Sequence, residues 1–432
     1  MAPDTHGHGA TRNPLDTHWN WKRALPAPGH MGVDFETRVD FRRLQAYRLA
    51  RARQALHNSR CAALILFDVN NIRYVSGTKI GEWERDKFCR CALLIDGREP
   101  VVWDFGSAAV HHKLYCDWLD PSSCRAGVLG MRGTIPPSFG LMKAHAEEIK
   151  ALLREAGVEG DLIGVDVAET AMLFALQEAG MKLTDGQQIM LDAREVKNID
   201  EITLLNQAAA MVDGVYHMIW EDLKPGVRES DIVARANKML YEMGSDDVEA
   251  INAISGERCN PHPHNFTDRL LRPGDQAFFD ILQAYNGYRT CYYRTFNVGR
   301  ATPVQHDAYS RCREWLDRAI ELIRPGVSTD KIASVWPVAE DYGFPDEKSA
   351  FGLQFGHGLG LALHERPIIS RLVSLDNPME IKTGMVFALE TYCPAADGYS
   401  AARIEEEVVV TDTGCKVITH FPAEDLPIAN AY

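Results

Sequence analysis

Two short stretches of this chain match each other: RPGDQAFFD at residues 272–280 and KTGMVFALE at residues 382–390. In both, a glycine turn leads into an apolar strand, and a carboxylate stands six residues after the glycine, at Asp280 and at Glu390. An ionised carboxylate among apolar strand residues needs a partner inside the protein. The match therefore predicts two equivalent strands that each carry a functional carboxylate.

A second pair of matching stretches precedes the first. LKPGVRESDI spans 223–232 and IRPGVSTDKI spans 323–332, and each follows a segment typical of a long helix. Both contain a Pro-Gly-Val turn and then a Ser or Thr that can cap the next helix. We therefore expect residues 200–432 to contain two pseudo-symmetric copies of a helix–helix–strands unit, with Asp280 and Glu390 on facing strands. A site between two such halves is a natural place for a metal ion.

Two histidines lie in the glycine-rich segment GLQFGHGLGLALHERP, residues 352–367. His357 stands between glycines, which let the backbone pack closely and leave the imidazole facing a cavity, and His364 follows seven residues later. A histidine together with three carboxylates is a ligand set that suits Mn, Fe, Co or Zn.

The third carboxylate comes from AARIEEEVVV, residues 401–410, which alternates as expected of a strand. The alternation puts Glu405 and Glu407 on one face, beside Arg403. We expect Glu405 to be the functional member, and Glu406 and Glu407 to be solvated or structural.

The first half of the chain alternates strand and helix patterns. It predicts a helix over 39–58, a buried strand over 61–67, and two strands joined by an Asp-Gly turn over 91–105. Residues 106–140 give little readable pattern until a helix begins near 138. The alternation from 39 to about 186 indicates an α/β domain.

The motifs together resemble a known family. GY-x₅-RTF after the first Asp, GHG-x-GL-x-x-HE, GMVF-x-x-E and RIE-[DE]-x-V-x-V-T are similar to the creatinase/prolidase/methionine aminopeptidase family over about residues 200–425. The resemblance implies an α/β (α+β) chain, with an N-terminal creatinase/prolidase-type α/β domain and then a pseudo-symmetric pita-bread catalytic domain. We expect an N-terminal arm over 1–33, the first domain over 34–192 and the catalytic domain over 193–432.

The resemblance also implies a ligand set. The family's two-metal site uses Asp, Asp, His, Glu and Glu, and four of these positions match Asp280, His357, Glu390 and Glu405. The second Asp, which bridges both ions, falls eleven residues after the first, where this chain has Cys291. A thiolate is softer than a carboxylate and has one donor atom. We therefore expect one tightly held divalent ion (Mn, Fe, Co or Zn) or none, with Cys291 either a ligand or a small buried hydrophobe.

Further positions match the substrate side of the family's site. His364 matches a histidine that binds substrate and intermediate, and Arg403 matches an arginine beside the bridging Glu. His262 and His264, in NPHPHNFTDR, lie where peptidase members carry one histidine, and the sequence leaves open which of them corresponds to it. Leu353 stands where peptidase members often have another histidine.

Several reactions are compatible with these residues. We expect a metal-assisted hydrolase that cleaves a C–N bond in a small polar substrate and is not a general peptidase. The alternatives are a metal-free creatinase-like amidinohydrolase, a lyase resembling dimethylsulfoniopropionate lyases, and an Xaa-Pro dipeptidase with an altered metal site. A partner-binding pseudoenzyme ranks last, because so many ligand positions are retained.

Composition limits the partners. The net charge of −14 argues against wrapping nucleic acid. The sequence has no run of 18 apolar residues, so we expect no membrane span. The ten cysteines include no C-x-x-C pair, which favours a reduced, cytoplasmic protein. We expect a small-molecule substrate and a homodimer, in which the N-terminal arm could embrace the second subunit.

Overall fold

The computed structural model describes residues 38–81, 90–127 and 131–432, so the predicted N-terminal arm lies outside the described residues. The chain divides into two compact units, and the described residues of the first end at Arg194, where the second continues from Glu195. No helix of the described residues is long and apolar enough to cross a membrane.

The first unit is a six-stranded mixed sheet with helices, as the alternating pattern predicts. The sheet order is β4-β3-β2-β1-β5-β6, with β1–β2 and β2–β3 antiparallel and the other neighbours parallel. The strands are β1 Ala63–Leu66, β2 Cys91–Ile95, β3 Val101–Asp104, β4 Cys124–Ala126, β5 Leu162–Val165 and β6 Lys182–Asp185.

The helices of this unit include one that the sequence pattern does not predict. Helix α3, Gly106–Tyr115, lies in the region of little pattern and has only two buried residues, so its apolar periodicity is weak. The other helices are α1 Phe41–His57, α2 Val69–Ser76, α4 Leu141–Glu155, α5 Thr170–Glu178 and α6 Gln187–Arg194.

The second unit contains two sheets and two long helices; neighbouring strands are antiparallel except β15 and β9, which are parallel. One sheet has the order β15-β9-β8-β7 and the other β11-β10-β12-β13-β14. The strands are β7 Asp247–Ser255, β8 Gln276–Tyr285, β9 Tyr288–Val298, β10 Phe355–Gly358, β11 Glu365–Ile369, β12 Val386–Pro394, β13 Ala401–Val410, β14 Cys415–Val417 and β15 Ile428–Ala429. The helices are α7 Ile199–Asp222, α8 Glu229–Glu242, α9 Pro303–Glu321, α10 Thr329–Ala333 and α11 Arg371–Ser374.

The predicted repeat is present in the backbone hydrogen bonds. The amide of Gly226 donates to Leu271 O and the amide of Gly326 donates to Ile381 O, both at 2.9 Å. Both turn glycines have positive φ, +90° and +84°. Each turn therefore ties a helix pair to the strand that carries a carboxylate, and the two halves are built in the same way.

The two sheets are joined by side-chain hydrogen bonds between β9 and β13. Thr295 donates through its hydroxyl to Arg403 O at 2.6 Å and accepts from the Arg403 amide at 2.9 Å. Helix α9 packs beside β12 and β13, and its buried residues join one hydrophobic cluster with those strands. This packing fixes the faces that meet at the candidate site.

The symmetric turns lead to a stability prediction. A Cβ at Gly226 or Gly326 would meet no heavy atom within 4 Å. An alanine there would therefore be destabilising only because it must adopt the left-handed backbone conformation. We expect Gly226→Ala and Gly326→Ala each to lower the free energy of unfolding by about 1–2 kcal/mol. Gly414→Ala is the control, because Gly414 has no positive φ and a Cβ there would make one ordinary contact at 3.9 Å. Denaturant titration of the three variants tests this, and a neutral effect at either turn contradicts it.

Candidate active site

The first carboxylate face belongs to the sheet of β7, β8 and β9. Asp280 on β8 lies opposite Asn252 on β7 and Tyr293 on β9, and Leu282 lies opposite Cys291. Side chains two residues apart on a strand share a face. Asp280, Cys291 and Tyr293 therefore project from the same side of this sheet.

The second carboxylate face belongs to the sheet of β10, β12 and β13. Glu390 on β12 lies directly opposite Glu405 on β13, and His357 on β10 lies opposite Ala388, two residues before Glu390. The register therefore puts His357, Glu390, Glu405 and Arg403 on one face. Burial is nearly complete at all four positions.

Three ligand atoms from the two faces meet. Single ligand atoms of Cys291, His357 and Glu405 lie within 4.8 Å of one another. The three residues are 5%, 1% and 0% exposed, so water does not solvate them freely. The sequence prediction that these residues share one site is thereby supported by their placement.

His357 is held in the tautomer that a metal ligand needs. Its Nδ1–H donates to Gly358 O at 3.1 Å, which leaves the lone pair on Nε2. Nε2 has no hydrogen-bond partner among the described residues and lies 3.6 Å from Glu390 Oε1. Burial lowers the pKa of His357 to about 4, so the ring stays neutral and able to coordinate.

The carboxylates need a cation. Both oxygens of Glu405 are buried with no hydrogen-bond partner among the described residues. Burial, and then the charge of Glu390, raise the pKa of Asp280 to about 7, and burial with Glu390 and Asp280 raises the pKa of Glu405 as well. A divalent ion beside these groups would relieve both the desolvation and the repulsion. The residues present fit a metal ion.

One cation is already built into the site. Arg403 donates through Nη2 to Glu390 Oε2 and, at 2.7 Å, to Gly352 O. Its guanidinium carbon lies 4.3 Å from the centre of the Tyr293 ring. The Nε and Nη1 donors of Arg403 have no hydrogen-bond partner among the described residues. Arg403 therefore partly neutralises Glu390 and still has donors to offer.

The remaining histidines lie at the edge of the site. His364 is exposed, and its ring centre is 4.5 Å from that of His357. His262 is half-buried, and its Nε2 lies 3.1 Å from the Tyr293 hydroxyl. His264 is exposed and stacks on His262 with ring centres 4.3 Å apart. Of the two candidates that the sequence left open, His262 is the one in contact with Tyr293.

Comparison with known proteins agrees with this arrangement. The sequence profile of metallopeptidase family M24 matches residues 203–412, and that of the creatinase/prolidase N-terminal domain matches residues 48–196. The chain belongs to metallopeptidase family M24. The family resemblance, the pita-bread fold and the assignment to hydrolases are thus confirmed, and membership implies use of a divalent metal ion.

Individual relatives cover most of the chain. "Probable dipeptidase PepE" of Mycobacterium tuberculosis is 27% identical over 390 residues, which is 88% of this chain and 95% of the relative. The Xaa-Pro dipeptidase of Pyrococcus furiosus is 28% identical over 235 residues, which is 54% of this chain and 65% of the relative. Among solved structures, the Xaa-Pro dipeptidase from Bacillus anthracis superposes with a TM-score of 0.71 at 20% identity, covering 88% of this chain and 99% of that one.

Within family M24, this chain has a changed neighbourhood around the metal ligands. Leu353 is 9% exposed and packs in the hydrophobic cluster of the second unit, so it has no polar function there. Cys291 replaces the carboxylate that the resemblance places between two ions, and the Cys291 thiol lies 3.6 Å from Asp280 Oδ1. The Asn252 side-chain amide donates to the other oxygen of Asp280 at 3.0 Å, a contact that sequence analysis did not predict.

Two glutamates beside Glu405, Glu406 and Glu407, are buried, so of the two alternatives that the sequence left open, solvated or structural, the structural one applies. Glu406 accepts from Arg294 and Arg313, both at 2.8 Å, and has a structural role. Glu407 accepts from the Thr290 hydroxyl at 2.6 Å and the Cys291 amide at 2.7 Å. Burial raises the pKa of Glu407 to about 8. Glu407 therefore fixes the strand that carries Cys291.

The loop that carries His364 is held by a buried ion pair. Lys197 Nζ donates to Glu365 Oε2 at 2.9 Å, and both side chains are 1% exposed. Glu365 Oε1 accepts from the Ala362 amide at 3.1 Å, and the Arg289 amide donates to Gly360 O at 2.8 Å. The segment between His357 and His364 is therefore tied at both sides.

Variants of the buried Lys197–Glu365 pair test how much this ion pair stabilises the protein. Loss of one partner leaves an uncompensated buried charge, so Lys197→Met should lower the free energy of unfolding by about 3–5 kcal/mol. The double variant with Glu365→Gln should recover most of the loss, because the charge is removed with its partner. Denaturant titration measures both effects.

The control for this test is Lys382→Met. Lys382 pairs with Glu195 at 2.8 Å but is 48% exposed, so its loss should cost about 0–1 kcal/mol. Equal losses in the Lys197 and Lys382 variants would show that burial of the pair is unimportant.

Proposed function

We propose that this protein is a metal-dependent hydrolase that cleaves the C–N bond of a short peptide, with dipeptides as its substrate class. The observation that carries the proposal is the group of buried ligand atoms on His357 and Glu405 that have no hydrogen-bond partner among the described residues. They lie where the two carboxylate-bearing faces meet, which is where a reaction centre would need a cation.

His357 and Glu405 would hold the ion, with Glu390 and Asp280 close by. When bound, such an ion supplies Lewis-acid chemistry and lowers the pKa of a coordinated water. The chain's own residues would do the rest. Arg403 orients Glu390 and keeps two N–H donors for the substrate carbonyl or carboxylate, where charge develops during hydrolysis.

The histidines at the edge of the site would handle the substrate. His364 is exposed and its ring lies beside that of His357, so it can contact a substrate that enters from solvent and can move a proton to the leaving nitrogen. His262 contacts the Tyr293 hydroxyl, and this pair could position the other end of a short substrate.

The names of the relatives change the order of preference among the reactions proposed from the sequence. Relatives that match most of this chain, or about half of it, are named as dipeptidases, which favours a dipeptide substrate over a small non-peptide one. We therefore place the Xaa-Pro dipeptidase alternative with the altered metal site ahead of the expectation that the enzyme is not a peptidase. Creatinase-like and lyase chemistry remain as outcomes of the substrate test.

Metal content tests the ligand assignment. In protein purified without a chelating column, we expect a divalent metal bound at near stoichiometry, measured by elemental mass spectrometry. His357→Ala should remove most of it, because the only neutral nitrogen donor of the cluster is lost. The matched control is His306→Ala, since His306 is exposed on α9. Full metal retention in the His357 variant would contradict the assignment.

A substrate panel tests the reaction. Dipeptides, including Xaa-Pro sequences, should be hydrolysed with the metal supplied and not after its removal by a chelator. The panel should also contain a guanidino compound and a sulfonium compound. Turnover of the guanidino compound without metal would replace the proposal by creatinase-like chemistry, and release of an alkene product from the sulfonium compound would replace it by a lyase.

A further inference from the structure

We infer that the thiolate of Cys291 is a metal ligand and that the site holds one ion, bound by Cys291, His357 and Glu405. The inference rests on the proposed function in that it concerns the same site. It goes further, because it assigns a mixed sulfur, nitrogen and oxygen ligand set where the related carboxylate site would hold two ions.

The geometry of the three ligand atoms is the first support. They lie within 4.8 Å of one another, and they come from three strands on two facing sheets. Around a tetrahedral zinc ion, with bonds of about 2.0–2.3 Å, ligand atoms lie roughly 3.5 Å apart. For the three ligand atoms to bind one ion, their side chains would therefore have to move by only about 1 Å. A triangle of three protein ligands leaves a fourth position open for substrate or water.

The second support is that ligand atoms of His357 and Glu405 are unpaired. Nε2 of His357 and both oxygens of Glu405 have no hydrogen-bond partner among the described residues, although they are buried. Buried polar atoms are ordinarily satisfied, so a group of them aimed at one point indicates a ligand that joins them. The cysteine is thus not the only sign of a site.

The other two carboxylates each have one oxygen engaged away from the three ligand atoms. Glu390 Oε2 accepts from Arg403, and Asp280 Oδ2 accepts from the Asn252 amide at 3.0 Å. A bridging carboxylate reaches two ions with two oxygens, whereas a thiolate at Cys291 offers one donor atom. We therefore expect one ion, with Asp280 beside it.

The alternative is that Cys291 only fills space. Buried cysteines with that role occur in the same unit: Cys393 on β12 belongs to the hydrophobic cluster and lies on the face opposite to Glu390 and Tyr392. Cys291 is outside that cluster, and its sulfur faces Asp280 at 3.6 Å. The Cys291 thiol donates to this carboxylate and would have to lose its proton to bind a metal ion, and Cys393 supplies a matched control.

A thiolate changes which metal the site prefers. Soft sulfur ligands favour zinc or cobalt over manganese, which prefers oxygen. Binding would release the thiol proton to solvent as the metal–sulfur bond forms. We therefore expect the protein to take up zinc or cobalt in preference to manganese when the ions compete at equal concentration.

Cobalt(II) titration of the metal-free full-length chain tests the ligand directly. A cysteine thiolate bound to cobalt gives a charge-transfer absorption in the near ultraviolet that nitrogen and oxygen ligands do not give. We expect this band in the wild type and in Cys393→Ser, and its loss in Cys291→Ser together with at least tenfold weaker cobalt binding. Circular dichroism of each variant checks that it folds.

Stoichiometry tests the single ion. The wild type should bind one cobalt per chain, and Cys291→Asp, which restores a two-oxygen ligand, should bind two without the charge-transfer band. Two ions in the wild type would overturn the single-ion assignment. A band that persists in Cys291→Ser, or cobalt binding without any band in the wild type, would overturn the thiolate assignment.

The outcomes separate this inference from the proposed hydrolase function. Cobalt binding through nitrogen and oxygen alone, with dipeptide hydrolysis, would overturn the thiolate and leave the hydrolase. The thiolate band without turnover of any dipeptide would support the ligand and overturn the hydrolase. An absence of cobalt binding in every variant would overturn both.

Discussion

Burial of negative charge at one point is the constraint on which the second unit depends. Glu390 and Glu405 lie opposite each other on paired strands, and Asp280 comes from the facing sheet. Carboxylates removed from water repel one another and resist ionisation, as the raised pKa of Asp280 shows. Such an arrangement persists only if the surrounding fold holds it, and only if a cation completes it.

The three buried carboxylates differ in the partners that the surrounding fold gives them. Arg403 neutralises part of the charge on Glu390, and Asn252 satisfies one oxygen of Asp280 without adding charge. Neither oxygen of Glu405 has a hydrogen-bond partner among the described residues. Buried polar atoms without a partner are costly. In the part of the chain that the structure describes, the unpaired oxygens of Glu405 lie near the unpaired Nε2 of His357. Under the proposed function, this is where a metal ion would bind.

Much of the site could be predicted from the sequence, because its signals are local. The duplicated glycine turns gave the equivalent strands of Asp280 and Glu390, and the alternation of 401–410 gave the face of Glu405 and Arg403. The contributions of Asn252 and Glu407 could not be predicted in this way. Asn252 acts through strand pairing across 28 residues, and Glu407 acts through contacts across 116 and 117 residues. Long-range partners leave no periodic trace in the chain.

The sequence by itself determined the family, the duplicated architecture and the identity of the ligand candidates, since these follow from motifs of a few residues and from strand alternation. Only the tertiary structure decided which candidates meet. It brought Cys291, His357 and Glu405 together, turned Glu390 toward Arg403, and put His262 rather than His264 against Tyr293. The physical reason is that strand register and sheet packing fix side-chain distances, and these depend on residues far apart in the chain.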